Sequence, residues 1–198
     1  MSGDASELKA DLRRKLRAEA QRFSPAERQA ASLQICRRLA QQDLWQRAQS
    51  VLFYYPMAGE PDIHPVFAEA LAAGKAAVLP RYCATERHYE ARQVHDLEHD
   101  LQAGAFGIHE PTTACPIFDL KKLDFVLVPG IGFAFSGVRL GRGKGYYDRL
   151  LAQISGFKCG VAFDWQVTVE IPAEPHDICL DCILTPTRWQ EVAGRRGF

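Results

Sequence analysis

The thirteen residues Gly137-Val-Arg-Leu-Gly-Arg-Gly-Lys-Gly-Tyr-Tyr-Asp-Arg149 concentrate the chemistry of this chain. Glycines recur at 141, 143 and 145, with Arg142 and Lys144 between them and Arg139 and Arg149 outside. Glycine reaches positive φ and lets a backbone approach a ligand closely. Successive N–H groups in such a turn point inward and form an anion nest. The interleaved cations then neutralise what the nest holds, and the expected guest is a polyphosphate. Asp148 suits the first turn of a helix, where the dipole favours an acid. It is equally placed to hold a divalent cation beside phosphates.

The flanking elements fit that use. Tyr146 to Ile154 reads as a helix with Leu150, Leu151 and Ile154 as its apolar stripe, and Leu123 to Gly130 reads as a buried strand. A helix N-terminus receives anions on its unpaired N–H groups. The loop is not the dinucleotide GxGxxG, because Tyr146 stands where the third glycine belongs. It is not the Walker A loop either, because Gly145-Tyr146 replaces the Lys-Ser/Thr ending.

This string closely resembles the signature of the 5-formyltetrahydrofolate cyclo-ligases, or methenyltetrahydrofolate synthetases: Val128-Pro-Gly-Ile-Gly-Phe133, Gly137, then Arg139 to Asp148. Three weaker matches lie elsewhere: Lys9-Ala-Asp-Leu-Arg13, Met57-Ala-Gly-Glu-Pro-Asp62 after Val51-Leu-Phe-Tyr-Tyr55, and Pro175-His-Asp177 ahead of Cys182-Ile-Leu-Thr185. Two positions depart. Ala134 stands where the family has Asp, and Glu60-Pro-Asp-Ile63 replaces its Glu-Val-Asp/Glu-Thr.

The resemblance implies that ATP and 5-formyltetrahydrofolate give 5,10-methenyltetrahydrofolate, ADP and phosphate. It assigns the nucleotide to Lys9, Ala10, Asp11, Leu12 and Arg13, and to Arg139, Leu140, Gly141, Arg142, Gly143, Lys144, Gly145, Tyr146 and Tyr147. The folate falls to Met57, Glu60, Asp62, Arg142, Gly143, Lys144, Gly145 and Tyr146, and Mg²⁺ to Asp148 and Asp177. Arg142 and Lys144 would stabilise charge on the transferring group, with Tyr147 donating near the formyl oxygen. Two alternatives stay open: a sugar-phosphate isomerase-like enzyme, and a non-catalytic nucleotide or folate binder.

The rest of the chain must position these groups. Its 198 residues suffice for one domain, taken as 1–198, and the balance of 24 basic and 24 acidic residues gives no bulk pull toward nucleic acid or membrane. No run approaches a membrane span and the first residues are polar, so a cytoplasmic protein, monomeric or weakly dimeric, is expected. The six cysteines read as reduced thiols, with Cys179-Leu-Asp-Cys182 as a weak metal or redox alternative.

Glu7 to Arg22 reads as a helix with Leu8, Leu12 and Leu16 on one face. Lys9, Arg13 and Arg17 line a neighbouring face, which composition alone would leave in solvent. Ser24-Pro-Ala-Glu27 is a capping box opening a helix to about Gln42. Strands are expected at Ser50–Tyr55, Ala76–Leu79, Tyr89–Val94, Phe125–Val128 and Lys158–Ala162, a helix at Pro65–Ala73, and mostly loop from Leu101 to Pro116. The rhythm argues for an α/β fold in three layers, a mainly parallel sheet with helices on both faces, as in sugar-phosphate isomerases and CoA transferases. Its ligand edge would open at Pro56, Pro129 and near Phe163. His64, His88, His95, His99 and His109 read as surface residues.

Overall fold

The computed structural model describes residues 2–104 and 107–194, with side chains from residue 5 onward. Helices α1 (Ser2–Ala20), α2 (Pro25–Ala40) and α3 (Asp43–Arg47) lead into strand β1 (Ser50–Leu52). Helix α4 (His64–Ala72) connects to the hairpin β2 (Ala76–Cys83) and β3 (His88–Val94). A short pair, β4 (Leu101–Ala103) and β5 (His109–Pro111), precedes β6 (Phe125–Val128). Then come β7 (Gly132–Ala134), β8 (Arg139–Leu140), α5 (Tyr146–Leu151), β9 (Phe157–Val161), β10 (Val167–Thr168), β11 (Cys182–Leu184) and β12 (Trp189–Glu191).

The main sheet has the order β12-β11-β9-β6-β1-β2-β3. Its five inner strands are parallel, and β12 and β3 add antiparallel edges. Alternation along each strand divides the apolar side chains between two faces. Val51, Phe53, Phe125 and Leu127 pack with Ile35, Leu39 and Trp45 of α2 and α3 and with Val66 and Phe67 of α4. Leu52, Val126 and Val128 pack with Leu150, Leu151 and Ile154 at α5. A second sheet, β10-β7-β8, forms its own layer, where Leu16 of α1 meets Ala134, Leu140 and Ile171.

Several boundaries differ from the sequence reading. Strand β2 runs beyond the expected Leu79, through Pro80 to Cys83. Pairing with β1 covers only Ala76 to Val78, so Pro80 has a neighbour on the β3 side alone and its missing N–H interrupts no ladder there. The stretch from Leu101 to Pro116 is mostly loop, as expected, with the short strands β4 and β5 paired within it. The first helix starts earlier than Glu7 and ends at Ala20, and α5 stops at Leu151. Strands β7, β8, β10 and β12 and helix α3 went unread because elements of two to five residues carry too little periodicity. The capping box is present as expected, with Ser24 and Glu27 exchanging hydrogen bonds at the start of α2.

Candidate active site

A cavity of about 420 Å³ opens beyond the carboxyl ends of β1, β2 and β6. Tyr54, Tyr55, Met57 and Glu60 follow β1, Leu79 and Pro80 belong to β2, and Pro129 and Gly130 follow β6. The expected third opening near Phe163 does not reach the cavity. Phe163 stacks instead on Trp165 at 4.3 Å, and Trp165 on Phe23 at 3.9 Å, which closes the end of α1 against the body.

One wall is cationic. Lys9 is 6% exposed and shares the inward face of α1 with Leu12 and Leu16, whereas Leu8, the first residue of the expected leucine stripe, is 50% exposed. The Lys9 ammonium donates to Glu174 at 2.7 Å and to Asp177 at 2.8 Å. Burial opposes its charge, but the two carboxylates outweigh burial and raise its pKa. The Arg13 Nε donates to the Gly141 carbonyl at 2.8 Å, fastening the loop to the helix. Gly143 and Gly145 adopt φ of 95° and 63°, the left-handed turns that glycine permits. Arg139 is buried, with its guanidinium 2.9 Å from Asp148 and over the Tyr147 ring at 5.5 Å.

The facing wall is aromatic and acidic. Arg142 reaches across to Glu60 at 3.1 Å, and the other Glu60 oxygen accepts from the Met57 amide at 3.0 Å. Tyr55 contacts the rings of His64 and His109, each at 4.9 Å between centroids. The Tyr147 hydroxyl and the Arg139 Nε are both buried without a hydrogen-bond partner, although both residues line the cavity. Buried donors are rarely left unpaired, and these two are candidates to meet a ligand acceptor; Trp165 Nε1, away from the cavity, is unpaired as well. Burial pushes the Tyr147 phenol far above the ordinary tyrosine range, which keeps its proton in place for donation.

A profile of the 5-formyltetrahydrofolate cyclo-ligase family matches residues 5–186. This chain belongs to that family. It is 28% identical over 192 residues to the mouse 5-formyltetrahydrofolate cyclo-ligase, covering 89% of this chain and 91% of that one. It is 34% identical over 145 residues to the enzyme of Mycolicibacterium smegmatis, covering 71% and 75%. The solved 5,10-methenyltetrahydrofolate synthetase of Aquifex aeolicus superposes with a TM-score of 0.85 at 34% identity, over 96% of both chains. As a member of the cyclo-ligase family, the chain is an enzyme of the ligase class, and neither the isomerase-like nor the non-catalytic reading is favoured.

Most cyclo-ligase residues named from the signature meet at this cavity: Lys9, Arg13, Met57, Glu60, the run from Arg139 to Asp148, and Asp177. Four do not line it. Ala10, Asp11 and Leu12 lie on α1 between the two cations; Asp11 pairs with Arg14 and Leu12 packs against the second sheet. Asp62 accepts from the His64 amide and ring at the start of α4.

The sequence reading missed Tyr54, Tyr55, Tyr89, Ile108, His109, Glu110 and Glu174, all on the cavity wall. His109, read as a surface residue, is exposed yet forms part of that wall. Cys179 and Cys182 face different neighbours. The Cys179 thiol donates to Ser136, and Cys182 sits buried opposite Cys159 in the ladder.

Proposed function

We propose that this site cyclises 5-formyltetrahydrofolate to 5,10-methenyltetrahydrofolate with ATP, through phosphorylation of the formyl oxygen. The observation that carries the reading is the Arg142–Glu60 contact, which joins the cationic loop to the acidic, aromatic wall across one cavity. Two ligands of opposite character thus meet at one residue. The formyl group is amide-like and its oxygen leaves poorly. Transfer of the γ-phosphoryl group to that oxygen makes it a leaving group; N10 then attacks the formyl carbon and closes the ring, and phosphate departs with the former carbonyl oxygen as the N10 proton is lost to phosphate or solvent.

The loop amides between Arg139 and Tyr147 cradle the triphosphate, and Lys9 and Arg13 meet it from α1. Arg142 and Lys144 spread the charge of the transferring group; the planar Arg142 fork suits two phosphate oxygens at once. Glu60 accepts from pterin N–H groups, and Met57 packs on the ring. Tyr147 donates to the formyl oxygen as negative charge develops on it.

Asp177 and Asp148 would supply the hard oxygens that Mg²⁺ prefers; Glu174, His176 and Asp177 bring potential ligand atoms within 4.8 Å of one another, Asp148 lies outside that group, and the two aspartates here face Lys9 and Arg139. Those two aspartates would hold the ion, and bound Mg²⁺ would neutralise phosphate charge. No helix among the described residues is long and apolar enough to cross a membrane. A cytoplasmic monomer or weak homodimer is the matching proposal.

The test is direct. Folded protein, 5-formyltetrahydrofolate and Mg-ATP should produce the methenyl chromophore with one ADP per turnover. Consumption of ATP without the chromophore, or neither product, would reject the reading.

A further inference from the structure

Arg87 is the single non-glycine residue among those described with positive φ, at 55°. It ends the four-residue turn between β2 and β3, whose ladder closes at Cys83 and His88. A β-carbon makes this conformation unfavourable, and glycine or asparagine would hold it more easily. Such outliers persist where surrounding contacts hold them. Here the contacts come from the signature helix. The Arg87 carbonyl accepts from Arg149 at 3.3 Å, and its guanidinium lies toward the Tyr146 hydroxyl.

Tyr146 is thereby gripped from three sides. The Arg149 guanidinium lies over its ring at 4.8 Å, the Tyr82 hydroxyl donates to its oxygen at 3.2 Å, and Tyr89 meets it edge-on at 6.1 Å. The donors Tyr82 and Arg87 also draw its phenol below the ordinary tyrosine range, as hydrogen bonds aimed at the oxygen should. Tyr146 lines the cavity, whereas Arg87 does not. Glycine at 145 gives the loop no stiffness of its own at this point, so the ring's placement depends on the hairpin behind it.

We infer that Arg87 is a positioning residue, which fixes the Tyr146 ring on the cavity wall and so sets affinity for the folate substrate without taking part in phosphoryl transfer. The inference rests on the cyclo-ligase reading for the identity of the ligand. It follows that the turn's strain is maintained by the signature helix it serves.

Arg87→Gly is the informative variant, because glycine tolerates the backbone conformation while the whole side chain, guanidinium included, is removed. The expected result is a rise of about fivefold to tenfold in KM for 5-formyltetrahydrofolate, the scale of one ordinary hydrogen bond. kcat and KM for ATP should stay within about twofold, and Tm should not fall, since glycine relieves the strain. Calorimetric binding of 5-formyltetrahydrofolate should weaken by the same factor.

Tyr146→Phe keeps the ring and removes the oxygen that Arg87 holds. If Arg87 acts through that oxygen, the double variant binds folate no worse than the weaker single variant. Unchanged folate binding in Arg87→Gly, additive losses in the double variant, or an equal loss in ATP affinity would overturn the inference. Failure of the unaltered protein to bind folate at all would instead reject the cyclo-ligase reading.

Discussion

The Lys9 ammonium sits 2.8 Å from an Asp177 carboxylate oxygen, 168 positions further along the chain, and closes α1 onto the main body. Lys9 is nearly buried and Asp177 mostly so, while Glu174 is 35% exposed. The tie therefore falls between surface pairs worth under 1 kcal/mol and buried pairs whose disruption costs about 3–5 kcal/mol. Lys9→Met should cost about 1–3 kcal/mol and lower Tm by roughly 3–8 °C at neutral pH. ATP binding by calorimetry should weaken in the same variant. A variant as stable as the parent would show that the tie adds nothing net.

The same pair fixes a pH dependence. For Asp177, burial works against the charged form, but the Lys9 hydrogen bond wins and lowers the carboxyl pKa below the ordinary 3.8. Its contribution is present above the unfolded-chain value and is lost as pH falls through the lowered folded value. For Lys9 the folded pKa is raised above 10.5, so its contribution is present below that value and lost as pH rises through the raised one. The difference in Tm between the parent and Lys9→Met should thus hold constant across the neutral range and shrink at both extremes. Thermal melts at a series of pH values check this; a difference that peaks sharply near neutrality would contradict it.

Arg142 spans both halves of the cavity, so its loss should be felt in two parameters. Arg142→Ala should lower kcat by about 100-fold or more through lost stabilisation of the transferring phosphoryl group. It also frees Glu60, so KM for the folate should change as well. Steady-state kinetics with each substrate varied in turn separates the effects. Turnover at the parental rate would remove Arg142 from the chemistry.

The loop geometry gives a third expectation. Gly143 has φ of 95°, where any β-carbon is strained by about 1–3 kcal/mol. The loop is exposed, and it can relax by leaving the conformation that presents its amides. Gly143→Ala should therefore weaken ATP binding about tenfold while Tm moves little, and calorimetry beside a thermal melt reads both. A large drop in Tm with unchanged ATP affinity would show that the turn serves stability instead.

The cationic half of this site was legible in the sequence because its chemistry is local. Arg139 to Asp148 lie within one loop and one helix turn, and their glycine spacing survives without any knowledge of the fold. The folate-facing half was largely hidden. Tyr54, Tyr89 and His109 come from β1's exit, β3 and β5, and only pairing across the sheet brings them together. Lys9 lines the cavity as the resemblance implied, and Leu12 and Leu16 pack inward, but Leu8 is exposed because the cavity rather than apolar core meets α1 at that turn. The main sheet was readable from its long apolar runs; the second sheet was not, since strands of two or three residues have no period to detect.

Tyr147 offers the sharpest separation of stability from function. Its hydroxyl is buried and unpartnered, a state that costs about 1–3 kcal/mol in the free protein. Removing it should relieve that cost, so Tyr147→Phe should keep or raise Tm. The ring's contacts with Arg139 and Tyr89 remain, and so does the shape of the wall. If the hydroxyl meets a substrate oxygen in the reaction, the same change should lower kcat by about 10- to 100-fold. Burial raises its pKa and keeps the phenol protonated past neutrality, so no loss of parental activity across the neutral range should trace to Tyr147. A variant that is both more stable and fully active would show that the orphaned hydroxyl is a packing defect and that the donor to the formyl oxygen lies elsewhere.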